Sequence, residues 1–68
     1  MTPADHKSFR AANDPLTPPQ ELFLLSESEL EIIRGAVALN ASTPKMALRR
    51  LENDVSIHVQ ECLAMQKD

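Results

Sequence analysis

Residues 43–64, TPKMALRRLENDVSIHVQECLA, follow the pattern of residues 17–38, TPPQELFLLSESELEIIRGAVA, at an offset of 26 and without a gap. Both stretches begin with Thr-Pro, carry leucine at their sixth and ninth positions, and end with alanine. Apolar residues also coincide farther along, where Ile33 corresponds to Val59. Self-similarity at such a period is typical of helical repeats, in which each unit packs on its neighbours because it cannot bury its apolar face alone.

The ends of the helices are predicted from caps and prolines. Thr17 and Thr43 are predicted N-caps, each followed by proline at the first helical position, where proline is favoured. Ser26 or Ser28, each with glutamate three residues later, matches the capping-box pattern, and Asp54 is the predicted cap in the second unit. Each unit is therefore predicted to hold a short helix followed by a longer one.

The apolar residues of both units are spaced to face one core. Ala36 and Cys62 lie on the stripes of the two longer helices, and Val55 is predicted to begin the second of these stripes. Gly35, the single glycine, falls within a predicted helix, where close packing against a neighbouring helix would explain the missing side chain. The predicted core comprises Leu22, Leu25, Ile33, Val37, Leu48, Leu51, Val59 and Leu63.

The spacing of the repeat resembles that of a known helical family. Its elements are Asn-x-x-Thr-Pro-x-x-x-Leu-x-x-Leu, an acidic cap, and then Ile-Arg and Val-Ala-x-Asn, which fall within residues 33–40 of the first unit. Over residues 13–64 this pattern resembles the leucine-rich repeat variant family. The resemblance implies alternating longer and shorter helices, the shorter ones sometimes of the 3₁₀ type, wound into a right-handed solenoid.

The chain departs from the repeat at two positions. One additional residue separates Asn13 from Thr17 compared with Asn40 and Thr43, and Gln60 stands where the first unit has an arginine. Some members of the family carry a cysteine-rich iron–sulfur segment at the N-terminus, but this chain has a single cysteine. The resemblance therefore implies no cofactor here.

These patterns divide the chain into three segments. Residues 1–16 are predicted to be an N-terminal capping segment or short helix, because Thr2-Pro3 matches the other helix starts, with a frayed tail as the alternative. Residues 17–40 form helical repeat 1 and residues 41–66 form helical repeat 2. The predicted fold is all-α, with two tandem helical-hairpin repeats plus an N-terminal helix in a miniature right-handed α-solenoid.

Length and composition limit the classes of protein. Sixty-eight residues allow one domain with a marginal core. No apolar run approaches membrane length, and the first residues, MTPADHKSFR, lack the apolar segment of a signal peptide, so we expect a cytoplasmic protein without membrane contact. A formal net charge of −3 disfavours indiscriminate nucleic-acid binding.

His58 and Cys62 are four residues apart and share a helix face. A structural zinc site needs four ligands, but the only other histidine is His6 and there is no second cysteine. Cys62 corresponds to Ala36, so a small buried side chain is the better interpretation. The residues supply no complete catalytic set, so we expect neither a metal site nor enzymatic activity, and no small-molecule substrate is indicated.

The two short helices differ most at positions suited to partner binding. Phe23 and Leu24 of the first unit correspond to Arg49 and Arg50 of the second, and Lys45 adds a third cation to the second. Aromatic and arginine residues are common at interface hot spots. These five residues are therefore the candidate partner-binding site, for a protein partner or for weak homodimerisation.

Two alternatives stay open at this stage. Phe23 and Leu24 are either covered by the N-terminal segment with Phe9 and Leu16, or partly open beside the arginines of the second unit. We expect Phe23 to be covered and Leu24 to be exposed. The basic helix at 45–50 alternatively suits a small nucleic-acid-binding or regulatory protein, although the chain has only two aromatic residues to stack on bases. Raised salt would weaken nucleic-acid binding steeply and an apolar protein interface little. The favoured function is a non-catalytic protein–protein interaction module built of helical repeats.

Overall fold

The computed structural model describes residues 1–66, and the secondary structure of these residues is entirely helical. The all-α prediction is therefore confirmed. Longer helices of 11, 9 and 10 residues alternate with shorter ones of 7 and 8 residues. The five helices are α1 Pro3–Asn13, α2 Pro19–Leu25, α3 Glu31–Leu39, α4 Lys45–Glu52 and α5 Ile57–Gln66.

The helices pack in two rows. The longer helices lie side by side in the order α1, α3, α5, and the shorter helices α2 and α4 contact each other in a second row. Across the described residues, each helix packs only on helices one or two positions away along the chain, so α1 and α5 do not meet. Helix α3 contacts all four of the others and is the centre of the molecule.

Helix α1 begins with the cap that its sequence predicts. Thr2 accepts a hydrogen bond from the Asp5 N–H at 3.1 Å, and the Asp5 carboxylate accepts one from the Thr2 N–H at 3.0 Å. The bond from the Thr2 N–H, with a smaller contribution from the Thr2 side chain, stabilises the ionised carboxylate, so the pKa of Asp5 lies below its ordinary value. The first segment is thus a capped helix and not a frayed tail.

Two threonine hydroxyls join successive helices by the same bond at an offset of 26. Thr17 Oγ1 donates to the carbonyl of Ala11 at 2.7 Å, and Thr43 Oγ1 donates to the carbonyl of Val37 at 2.6 Å. Each carbonyl belongs to the last turn of the preceding long helix, where it also accepts the backbone N–H of the C-cap residue, Asp14 or Asn40. Both threonines are buried, and each therefore fixes the path from a long helix to the next short one.

These bonds overturn the prediction that Thr17 and Thr43 are N-caps. The N-caps of α2 and α4 are Pro18 and Pro44, and neither helix has a side-chain cap. A threonine hydroxyl can donate as well as accept, and here it donates a second hydrogen bond to a carbonyl of the preceding helix. The Thr-Pro signal therefore marks the approach to each helix, and the helix itself begins at the second residue after the threonine.

Amide side chains repeat a second bond at the same offset. The Asn40 amide donates to the carbonyls of Ala12 and Asp14, each at 2.9 Å. The Gln66 amide donates to the carbonyls of Ala38 and Asn40, at 3.0 and 2.8 Å. Each amide thus closes the end of the preceding long helix from the end of its own.

The prediction of one additional residue between Asn13 and Thr17 is wrong, because the structural equivalent of Asn40 is Asp14 and not Asn13. Asp14 occupies the position of Asn40, since its carboxylate accepts the N–H of Leu16 at 2.9 Å as the Asn40 carbonyl oxygen accepts the N–H of Ser42 at 2.9 Å. Asn13 instead donates to a carbonyl within its own helix. Comparison of residue types had favoured asparagine over the equivalent aspartate.

Neither predicted capping box forms at the start of α3. The N-cap is Leu30, which has no side chain able to accept, and the Ser28 hydroxyl accepts the Leu30 N–H at 3.1 Å in the preceding turn. The Ser26 hydroxyl donates to the Phe23 carbonyl at the end of α2. Both serines therefore shape the turn between the helices and leave the first turn of α3 uncapped by side chains.

The start of α5 also lies later than predicted. The Asp54 carboxylate accepts the N–H of Ser56 at 2.9 Å, while the Ser56 hydroxyl accepts the N–H of Val59 at 3.3 Å and so caps the helix. Val55 therefore lies in the turn before α5, with 96% of its surface exposed, and does not belong to the core stripe.

One contiguous core joins the helices. Of the eight predicted core residues, Leu25 and Leu48 are half-buried and pack against the core, and the other six are buried in it. Ala12 of α1 and the small residues of α3 complete it, which lets the long helices approach closely. The buried members of the prediction are Leu22, Ile33, Val37, Leu51, Val59 and Leu63.

Gly35 lies where α5 crosses α3. A Cβ atom at this position would stand 2.8 Å from His58 Nε2 and 3.2 Å from Cys62 Sγ. The glycine has no positive φ, so it is needed for space and not for backbone conformation. The expected close packing at the single glycine is confirmed.

Candidate functional site

An open groove of about 880 Å³ runs between α2 and α4 on the outer side of the row of short helices. Phe23 from α2 and Met46 from α4 give it an apolar lining, together with Val55 from the turn before α5. Arg49 and Arg50 line it from α4. The groove thus combines apolar surface with cationic groups.

Two of its residues occupy one repeat position. Phe23 and Arg49 are 26 residues apart, and both line the groove. Phe23 is half-buried, whereas Leu24 exposes 62% of its surface. The expected cover is only partly present, since Leu16 is 87% exposed and Phe9 packs against the core beside α3.

An ion pair lies at one side of the groove. Arg34 Nε and Asp54 Oδ2 are 2.6 Å apart, and a second bond joins Arg34 Nη2 to Asp54 Oδ1 at 3.2 Å. The third guanidinium nitrogen donates to the Ser28 carbonyl at 2.8 Å. This pair ties the turn before α3 to the turn before α5, and its groups are already engaged with each other.

The pKa of Asp54 reflects two opposing effects. Burial raises the pKa, but hydrogen bonds from the Arg34 guanidinium and the Ser56 N–H, with the positive charge of Arg34, lower it more. The net result is a pKa below the ordinary aspartate value, so Asp54 is ionised at neutral pH. The carboxylate is therefore a fixed negative charge beside the groove.

The two arginines of α4 differ in what they can offer a partner. Arg50 Nη2 lies 3.5 Å from the Glu27 carboxylate in a pair whose side chains are both about half exposed. Within residues 1–66, Arg49 is exposed and makes no ion pair. Arg49 is accordingly the groove cation whose charge is available to a ligand.

The structure brings together three of the five candidate residues. Phe23, Arg49 and Arg50 line the groove, while Leu24 and Lys45 lie outside its lining. Sequence analysis missed Met46, although its spacing of three residues from Arg49 places both on one helix face. It also missed Val55, because the apolar spacing had assigned that residue to the core.

His58 and Cys62 lie beside each other on α5. Cys62 Sγ and His58 Nε2 are 3.8 Å apart. Burial of the thiol, followed by the negative charge of Glu61, raises the pKa of Cys62, so the thiol stays protonated at neutral pH. Across residues 1–66 no three side chains of the metal-binding types are grouped to hold an ion.

None of the helices within residues 1–66 combines the length and apolar character required to cross a membrane. Comparison of the chain with protein-family models found no matching family, and comparisons with curated proteins and with solved structures found no match.

Proposed function

We propose that this chain is a non-catalytic protein-interaction module, a short right-handed α-solenoid whose α2–α4 groove binds a segment of another protein. The observation that carries the proposal is the groove itself, where exposed apolar side chains lie beside an arginine that makes no ion pair within residues 1–66. Exposed apolar surface with a polar rim is typical of interaction sites.

Several features support the solenoid architecture. The hydrogen bonds from the threonine hydroxyls and from the side-chain amides recur at an offset of 26 residues. Within residues 1–66, long and short helices alternate, and each helix packs only on near neighbours along the chain. Contacts restricted to near neighbours are characteristic of repeat proteins. The resemblance to the leucine-rich repeat variant family implies the same architecture.

The chemistry of the groove defines the partner segment. Phe23, Met46 and Val55 would bury an apolar side chain, which contributes about 1.5–3 kcal/mol when fully buried. Arg49 would bind a carboxylate next to it, through the paired hydrogen bonds that a guanidinium makes. The partner is therefore a protein segment with an apolar residue adjacent to an aspartate or glutamate, and Leu24 would contact its flanking residues.

Nucleic-acid binding through the basic helix is less well supported. Glu27 and Asp54 place carboxylates beside the same groove, where they would repel the successive phosphate groups of a nucleic acid more than a single partner carboxylate bound at Arg49. Arg50 is already opposed by Glu27 at 3.5 Å. One aromatic side chain, Phe23, would be available to stack on a base, so this alternative lacks the usual aromatic platform.

Affinity capture with matched variants tests the proposal. The bait proteins are wild type, Met46→Glu/Arg49→Glu, and Lys7→Glu, which reverses an exposed charge on α1 away from the groove. Wild type and Lys7→Glu should retain the same protein, and the groove variant should bind it at least tenfold more weakly in a titration. Circular dichroism melts of each bait check that all three are folded.

Two outcomes would contradict the proposal. Equal affinity of the groove variant and wild type would exclude the groove as the binding surface. Retention of nucleic acid, with affinity that falls steeply between about 50 and 200 mM salt, would favour the alternative function.

A further inference from the structure

A second open surface lies at the end of the molecule formed by α4 and α5. We call it the end face, and it surrounds a shallow groove of about 360 Å³. Among residues 1–66, Glu52 is the one ionisable side chain of its lining, and the other lining residues are apolar or neutral. The end face consists of Leu48, Glu52, Gln60, Leu63, Ala64 and Gln66.

The equivalent surface of the first unit is covered by the chain itself. Leu22 and Ala38, which correspond to Leu48 and Ala64, are both 0% exposed, and they belong to helices α2 and α3, on which α4 and α5 pack. Leu48 is only half-buried and Ala64 is exposed. The equivalent surface is therefore buried in the first unit and open to solvent in the second.

The opposite end of the molecule differs in chemistry. Lys7 and Arg10 of α1 stand at the positions that Ile33 and Ala36 occupy in α3, and both are exposed. Head-to-tail contact of two copies would press these cations against apolar residues of the end face and remove their hydration at a high cost. The charges on α1 therefore oppose an open-ended chain of copies.

The end face is complementary to itself. Lys45, Leu48 and Glu52 lie on one stripe of α4, since they are three and seven residues apart. Two α4 helices packed antiparallel about a two-fold axis would place Lys45 beside the partner's Glu52 and Leu48 beside the partner's Leu48. The same axis would pair α5 with the partner's α5, where Ala64 permits close approach.

We propose that a second copy of this chain covers the end face, forming a two-fold symmetric dimer through α4 and α5. The interface is isologous and closes on itself, as in most homodimers. It involves one surface of two helices of 8 and 10 residues, which is small by the standards of stable dimers, so association is expected only at high protein concentration. This proposal does not depend on the groove between α2 and α4.

Sedimentation equilibrium from about 10 μM to about 1 mM tests the dimer, a range chosen because small interfaces bind weakly. The mass of wild type should rise from the monomer value of 7.6 kDa towards twice that value. Ala64→Glu should remain monomeric at every concentration, because it places two carboxylates in the interface. Ala4→Glu, the same change at an exposed position of α1, should behave as wild type.

Charge reversal gives an independent test. Lys45→Glu and Glu52→Lys should each weaken association at least fivefold, since each creates like charges across the interface. The double variant should recover association to within about twofold, and so should an equimolar mixture of the two single variants. Each single change also complements the α4 dipole, so the variants should fold at least as well as wild type.

Three results would overturn the proposal. Wild type could remain monomeric at about 1 mM, the top of the tested range. Ala64→Glu could dimerise as wild type does, which would place the contact elsewhere. Leu24→Glu could abolish association while the charge reversals leave it unchanged, which would assign the dimer to the exposed leucine of α2.

Discussion

Arg34 and Asp54 form a two-bond ion pair, largely removed from solvent, that joins α3 to the turn before α5. At the position of Arg34 the second unit has Gln60, whose amide donates to three carbonyls of its own unit. At the position of Asp54 the first unit has Ser28, whose hydroxyl accepts the same turn hydrogen bond. The chain therefore supplies natural replacements for both members of the pair.

Replacement of Arg34 alone should destabilise the protein. Arg34→Gln keeps an amide for the backbone carbonyls but leaves the Asp54 carboxylate buried without its cation, at a cost of about 3 kcal/mol. Arg34→Gln/Asp54→Ser should return to within about 1 kcal/mol of wild type, because a matched neutral pair carries no buried charge. Urea unfolding of wild type, the two single variants and the double variant, at low temperature where small domains are most stable, measures the four free energies of unfolding. Additive effects of the two changes would show that the pair is not coupled.

The same pair should make stability depend on acidic pH. The folded pKa of Asp54 lies below its unfolded value, so its contribution is complete above the ordinary aspartate pKa and is lost as pH falls through the folded pKa. Wild type should therefore lose more free energy of unfolding than Asp54→Ser between pH 5 and about pH 2. Other carboxylates, including Asp5, cancel in this difference. Parallel pH profiles for the two proteins would contradict the assignment.

Gly35 should respond to alanine differently in two backgrounds. Alanine favours the helix by up to about 1 kcal/mol over glycine, but its Cβ would press against the His58 ring. In wild type we expect Gly35→Ala to be neutral or destabilising. In His58→Ala, where the nearest atoms are gone, it should raise the free energy of unfolding by at least about 0.5 kcal/mol. An equal effect in both backgrounds would mean that the histidine does not restrict the site.

Leu22 and Leu48 test the coverage of equivalent positions. Leu22 is fully buried, so Leu22→Ala should cost about 3 kcal/mol or more. Leu48 is half-buried, so Leu48→Ala should cost roughly half as much in dilute monomer, because less apolar area is lost. Thermal melts resolve the difference, since 1 kcal/mol shifts the midpoint of such a small domain by about 4–8 °C. Equal losses would indicate that burial does not distinguish the two leucines.

The sequence was sufficient to predict five helices and most of the core, because apolar periodicity and helix breakers act locally. Predictions were wrong where the local sequence pattern allowed one structural role for a side chain and tertiary or turn contacts gave it another. Thr17 matched an N-cap pattern, but a carbonyl of α1 provided a tertiary acceptor that local rules do not include. Val55 had helical spacing from Val59, but Asp54 and Ser56 bond to form a turn that delays the helix.

The candidate site was predicted in part for a related reason. Disagreement between the two units identified Phe23 and Arg49, which share a repeat position and line one groove. Met46 and Lys45 are neighbours in sequence, yet only Met46 lines that groove. Which side of a two-turn helix faces its neighbour depends on packing between units, and this information is absent from local spacing.

The hydrogen bonds from the side-chain amides of Asn40 and Gln66 have a consequence for how such a protein can change over evolutionary time. In a globular domain with one central core, a duplicated segment cannot pack into the core and must form a surface loop. Here a duplicated stretch of 26 residues would bring its own amide and threonine donors and would find their acceptors on the helix before it. Each duplication would widen the row of long helices by about 10 Å, one interhelical distance, and would leave both ends unchanged. The number of helices in both rows can therefore be altered by gain or loss of whole units, without redesign of the packing inside any of them.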